Sequence, residues 1–275
     1  MNGIHLFFSM KKSLAYSLVL VLLSLPLSVS AAVTFKDAEC TTGFSSSSVV
    51  ATAPTGVVAG DVLVAVVSTD DSSETVTATG WTVVSTDSIT NGDEQASALL
   101  YKVATGSDSF TFNESTNGAY TGICIGAWSG VDNTTPLDVT PSVNNPNSPT
   151  PPSSPITETA TGITTVKNGD QLVWLVAQDS TSANGDVSGN GPTPPSGMTS
   201  RAHTPNGGFW NAAMADGSQT TAGATGNQSG LYTNSGDSGN FVAYLVALRP
   251  ASSGGGTSAR VIRLAGVRFR GVRLW

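Results

Sequence analysis

The sequence predicts an all-β protein, a β-sandwich or jelly roll built from two related halves, with an N-terminal signal helix and a short C-terminal tail. Three observations predict it: short apolar runs bounded by turn residues, a repeat of those runs in the same order, and few charges. Charged residues fill 11% of the 275 positions and glycine 30 of them, against about 25% and 7% in average proteins. Such a composition excludes a coiled coil and a highly charged disordered chain.

The first element reads as an export signal, residues 1–32. Lys11 and Lys12 form its positive n-region, Leu14 to Leu27 its apolar h-region, and Val29-Ser30-Ala31-Ala32 its cleavage site after Ala31 or Ala32. Met10, directly before the lysines, is a natural start. A retained anchor is the alternative, against which Pro26 and the small residues after it argue. No later apolar run reaches membrane length, so the mature chain is expected to be soluble and secreted or held at the cell surface.

The body, residues 33–251, reads as strands. Asp61-Val-Leu-Val-Ala-Val-Val67, Ala98-Leu-Leu-Tyr-Lys-Val103 and Phe241-Val-Ala-Tyr-Leu-Val-Ala-Leu248 are short, apolar and bounded by Gly, Asp, Asn or Pro, which suits buried strands better than helices. Between them, loops such as 69–74 and 180–186 carry turn-forming residues. Gly60-Asp-Val-Leu-Val-Ala-Val-Val-Ser-Thr-Asp70 recurs as Gly169-Asp-Gln-Leu-Val-Trp-Leu-Val-Ala-Gln-Asp179, and Gly80-Trp-Thr82 as Gly197-Met-Thr199. Two copies are too few for a solenoid, whereas one sandwich lets each half cover the other's apolar face. The halves are set at 33–144 and 156–251, with the Pro-rich stretch 145–155 as a stiff connection between them. A linker between two independent domains is the alternative.

At residue 252 a Gly/Ser spacer begins, followed by a tail with a period of five: Ile262-Arg-Leu-Ala-Gly266, Val267-Arg-Phe-Arg-Gly271 and Val272-Arg-Leu-Trp275. Two readings stand for 252–275. One is a strand or hairpin packed on the body. The other is a docking element in which Arg263, Arg268, Arg270, Arg273 and Trp275 meet an anionic surface or drive self-assembly.

The succession Gly-Asp-x-Leu-Val, Gly-Trp-Thr, Leu99-Leu-Tyr-Lys-Val-Ala104, Ala127-Trp-Ser-Gly-Val-Asp132 and Pro136-Leu-Asp138 resembles a β-sandwich domain of secreted bacterial and phage-associated surface proteins. Gly197-Met-Thr199, Ala222-Gly-Ala-Thr-Gly226 and Ala247-Leu-Arg-Pro250 are similar to the rest of it, over roughly residues 45–251. The resemblance implies fold and a surface or adhesive role, and transfers no catalytic residues.

Charge narrows the partners. Of 12 Lys and Arg, five lie in the body, against all 19 acids, a net of −14 that repels nucleic acid. Chemistry is thin. His203 is the one histidine after the signal, in what reads as a solvated loop without a nucleophile-elbow pattern, and a multi-histidine metal site is excluded by count. Paired loop carboxylates such as Asp70-Asp71-Glu74 or Asp93-Glu94 are the remaining catalytic option, and in an acidic exported protein they read as solvating; the protein is expected not to be an enzyme. No cofactor is expected, with calcium as the possible exception. Oxygen ligands for it stand in the loop holding Asp179, Asn184, Asp186 and Asn190, with Asp132, Asn133 and Asp138 as a second cluster; Asp132 reads equally as a turn residue after Gly130.

Cys40 and Cys124 are expected to form one disulfide in an oxidising compartment, the alternative being two buried thiols. Trp81, Trp128 and Trp174 sit at strand positions and read as core. Phe209 and Trp210 follow the turn Pro205-Asn-Gly-Gly208; burial in the core is one reading of them, and a ligand platform, Trp210 first, is the other. The function read from all this is a non-catalytic binding module for glycan or cell-surface ligands; the alternative is a structural or assembly protein of a surface layer, appendage or virion.

Overall fold

The computed structural model describes residues 31–44, 47–92, 94–115, 120–148, 150, 152–179, 191–204, 210–233 and 239–252, with Asp179 and Trp210 placed by their backbone. Residues 30–252 form one compact unit. The described residues contain strands and no helix, and none of them forms a helix long and apolar enough to cross a membrane.

The first half contributes β1 (Thr34–Phe44), β2 (Ser48–Val50), β3 (Val62–Thr69), β4 (Val76–Ala78), β5 (Thr82–Ile89), β6 (Gln95–Val103), β7 (Thr111–Glu114) and β8 (Tyr120–Ser129). The second contributes β9 (Ser142–Asn144), β10 (Ile156–Ala160), β11 (Asp170–Asp179), β12 (Thr199–His203), β13 (Trp210–Gln219), β14 (Gln228–Tyr232) and β15 (Phe241–Leu248). Two five-stranded antiparallel sheets result, ordered β1-β8-β3-β6-β5 and β9-β15-β11-β13-β12, with smaller sheets β2-β7-β4 and β10-β14. The order of the second half repeats that of the first strand for strand. Among the described residues only β4 lacks a counterpart strand, and a single bridge, Thr193 to Leu231, stands in its place beside β14. The repeated glycines match too: Gly60 and Gly169 have φ of 92° and 83°, Gly80 and Gly197 of 79° and 82°, a region that costs a side chain energy and glycine nothing.

The layers explain why the central strands are apolar on both faces. Val62, Val64 and Val66 of β3 and Trp128 of β8 pack against Val173 and Leu175 of β11, Met214 of β13 and Tyr244 of β15, forming one core between the large sheets. Leu63, Ala65 and Val67 point the other way, under Val49, Val76 and Phe112 of the small sheet. In the second half Leu172, Trp174 and Val176 likewise lie under Ile156, Ala160 and Tyr232. The protein is therefore a sandwich of two large sheets whose outer faces are each roofed by a smaller sheet.

Polar groups in the central core are tied across the sheets. The Trp128 indole N–H donates to Asp216 Oδ2 at 2.8 Å, Asp216 Oδ1 accepts from Arg201 Nε at 2.5 Å, and the Arg201 guanidinium lies 4.0 Å from the Phe35 ring centre. Gly126 makes room for this arrangement, since a Cβ there would sit 2.4 Å from the Trp128 ring and 2.9 Å from Met214 Sδ. Cys40 and Cys124 are direct cross-strand partners and are joined by a disulfide with Cα atoms 4.1 Å apart. Trp81, Trp128 and Trp174 are buried.

One boundary differs from the sequence reading. β9 precedes the Pro-rich stretch and pairs with β15, so residues 142–144 belong to the second half and segment 130–141 crosses between halves. The Pro-rich stretch connects β9 to β10, and Asn147 Oδ1 holds it against the first half by accepting from Thr90 and Asn91 N–H at 2.9 and 3.1 Å. Proline content signals stiffness; it does not say which strands flank it, and the three-residue β9 has no readable periodicity. Two independent domains are also excluded as a description of 30–252, because one core joins both large sheets.

Candidate functional site

The two ends of the sandwich differ. At one end lie residue 31 and residue 251, joined by Ala31 N–H to Ala251 O at 3.0 Å, together with tight turns at the positive-φ residues Gly60, Gly106, Gly130 and Gly169. At the other end β1, β3, β11 and β12 finish and β8 and β13 begin. Two contacts fix the directions: Cys124 Sγ lies 3.2 Å from Ala212 O, and Trp128 reaches Asp216. β8 and β13 therefore run the same way, and Tyr120 and Trp210, their first residues, start at the same end.

An exposed aromatic pair stands at that end. Phe44 and Tyr120 are cross-strand partners on the sheet face that carries Cys40 and Cys124. Four residues beyond the disulfide they are 64% and 46% exposed, with ring centres 4.6 Å apart. Exposed rings this close are uncommon in a fold that buries Trp81, Trp128 and Trp174. The turn after β3 borders them. Asp70 exchanges bonds with Tyr120, accepting its N–H on Oδ1 at 3.0 Å and donating its own N–H to its carbonyl at 3.2 Å. Burial raises the Asp70 pKa above the usual carboxylate value, opposed by the Tyr120 N–H. Asp71 moves the other way, lowered by the Ser73 hydroxyl and N–H that it accepts. Exposed rings offer apolar faces for stacking, and the flanking carboxylates offer hydrogen-bond acceptors.

Behind this end, between the second large sheet and its roof, is a cavity of ≈ 20 Å³ lined by Glu158, Gln178, His203, Thr204, Asn211 and Tyr232, among others. Glu158 is fully buried, and desolvation pushes its pKa up to about 8. Its Oε2, Gln178 Nε2 and Asn211 Nδ2 are buried without hydrogen-bond partners. The space matches one water, which typically makes about three hydrogen bonds; two amide donors and one carboxyl oxygen supply three. The chemistry here is structural, because the cavity is too small for a substrate. His203 is half-buried in β12 and lines this cavity, which corrects the solvated-loop reading: Thr199–His203 is a short polar edge strand that reads like a loop.

Trp210 opens β13 opposite Asp179, which closes β11, so both backbones reach the aromatic end. Phe209, Asp186 and the tail residues Arg263, Arg268, Arg270, Arg273 and Trp275 lie outside the described residues, as does the segment read as an export signal apart from Ala31 and Ala32. Asp132 is a turn residue, accepting from Thr134 and Thr135 N–H at 2.9 and 3.2 Å. Among the described residues no group of three or more His, Cys, Asp or Glu is arranged around a metal position. The sequence reading missed Phe44 and Tyr120; their aromatic types at strand ends were the available signal, and their partnership needed the register of β1 on β8.

No protein family, curated protein or solved structure matches this chain.

Proposed function

We propose that the protein is an exported, non-catalytic binding module that contacts glycan or other cell-surface ligands through the end carrying Phe44, Tyr120 and the start of β13 at Trp210. The observation that carries this reading is the exposed Phe44–Tyr120 pair at the end opposite residues 31 and 251. A module held near its chain ends turns that face outward, and binding residues commonly sit on loops held by a rigid scaffold. The disulfide agrees with an oxidising compartment. Asp70 and Asp71 supply acceptors beside the rings. The surface, secreted and adhesive roles implied by the resemblance to bacterial and phage surface domains fit the same use.

The test is a glycan-array screen of the full chain, followed by Phe44→Ala and Tyr120→Ala. Each substitution should weaken the strongest signal about tenfold, equivalent to 1.4 kcal/mol, with the melting temperature nearly unchanged because both rings are exposed. Binding that survives both substitutions refutes the aromatic end as the site. Absence of any glycan signal together with ordered oligomers that both substitutions dissolve assigns the rings to self-association, the assembly role.

A further inference from the structure

The duplication makes the two halves a comparison within one chain. In the first half Trp128 pairs with both Phe35 and Val62; in the second Leu248 pairs with Gln171 and bridges Leu137. The next residue after Phe35 is Lys36, and after Leu137 it is Asp138. The residue before Val62 is Asp61, and before Gln171 it is Asp170. β1 bulges between Phe35 and Asp37, so Lys36 and Asp37 together stand where the second half has Asp138, and Asp61 corresponds to Asp170.

The chemistry of the two pairs is opposite. Lys36 Nζ lies 2.7 Å from Asp61 Oδ2, an ion pair with the aspartate nearly covered. At the second position two carboxyl groups stand within hydrogen-bonding reach of each other. Asp170 is wholly buried. Both its oxygens and Asp138 Oδ1 are buried without a hydrogen-bond partner. Asp138 Oδ2 is occupied, accepting from Val166 and Lys167 N–H at 2.5 and 3.1 Å. Lys167 and Arg249 are the nearest positive groups acting on Asp170, and Arg249 sits 3.9 Å from Asp132 Oδ2 instead. The described ion pairs include none to Asp138 or Asp170.

We propose that Asp138 and Asp170 bind a hard divalent cation of the calcium class, at the place where the first half puts the ammonium of Lys36. Three carboxyl oxygens without donors face a position that in the twin site carries a positive charge, and oxygen is the ligand such ions take. Asp138 also lines a cleft of ≈ 490 Å³ with Val84, Leu137, Val139 and Thr140. Two carboxylates, with Lys167 and Arg249 nearby, set a weak site, in the range of about 10⁻⁴–10⁻³ M known for extracellular calcium modules. This inference is independent of the ligand proposed for the aromatic end.

The experiment is thermal unfolding of the full chain at pH 8 in 0–10 mM calcium chloride, with sodium chloride matched for ionic strength and calcium binding measured directly by equilibrium dialysis. A Kd near 1 mM predicts a rise of about 3–5 °C at 10 mM. Asp138→Asn and Asp170→Asn should abolish both the rise and the dialysed calcium. Asp138→Lys, which copies the first half, should melt without calcium near the wild-type value with calcium, and should not respond to the ion. Wild-type protein that neither binds calcium nor shifts overturns the proposal; if acidification to pH 6 then stabilises it more than it stabilises Asp170→Asn, the pair holds a shared proton only. A calcium response that persists in both asparagine variants also overturns it.

Discussion

Glu158 gives the sharpest handle on the interior. Its carboxyl is carried from an ordinary 4.5 to about 8 by burial alone, so the folded protein keeps a proton that the unfolded chain releases. Well below pH 4.5 both states are protonated and the full stability is present. As pH rises through the window from 4.5 to about 8 the folded state binds more protons, so stability falls with pH. At 1.36 kcal/mol per pH unit the loss is about 3 kcal/mol by pH 7 and about 4 kcal/mol by pH 8, where the folded carboxyl is itself half ionised. Glu158→Gln keeps the shape and stays neutral throughout. Urea unfolding of both proteins from pH 4.5 to 8.5 should find them within about 1 kcal/mol of each other at the acidic end, the variant becoming the more stable as pH rises. Taking the difference between the two proteins cancels the contribution of Asp170, whose pKa burial and Asp138 raise to about 7. A difference that stays constant across the range refutes the argument that Glu158 is held neutral by its surroundings.

Other substitutions report on packing. Gly126→Ala should cost about 1–3 kcal/mol by overpacking, read as a lower urea midpoint, since its Cβ has no space against Trp128 and Met214. Trp128→Ala should cost about 3–5 kcal/mol, whereas Trp210→Ala should lower the melting temperature far less; equal losses would remove Trp210 from the binding surface. Thiol titration of denatured, unreduced protein should find no free thiol. The paired Cys40→Ala and Cys124→Ala substitution should lose up to about 4–5 kcal/mol in urea, the value for a loop closed over a separation of 84 residues.

The fold was legible where burial writes on composition. Strands covered on both faces must be apolar at every position, and 62–67, 172–177 and 241–248 are. Their repetition exposed the duplication, because equivalent strands meet equivalent neighbours. The roofing sheets were not legible: β2 and β4 have three residues each, too few for a period of two to show. The buried acids escaped for another reason. Glu158 and Asp170 belong to a residue class that is almost always solvated, and only three-dimensional neighbours show that these two are enclosed. Phe44 and Tyr120 are 76 positions apart, so no local window joins them, while Gly207 and Gly208 stand beside Trp210 in a single window.

The disulfide has a mechanical meaning. Pulling on residue 31 and residue 251, which leave the sandwich side by side, loads the first strand from its free end and peels it from β8. Residues 34–39 separate first, resisted by their hydrogen bonds to β8, by the packing of Phe35 on Trp128 and by the Lys36–Asp61 ion pair. At Cys40 the tension passes into a covalent bond to Cys124, in the second strand of the same sheet, and peeling stops. The rest of β1, including Phe44, stays seated while the end of the chain is under load. A single-molecule pulling experiment should therefore show a short first extension that ends at the crosslink, and a longer one in reducing buffer. Equal extensions in both buffers would mean that the load bypasses β1.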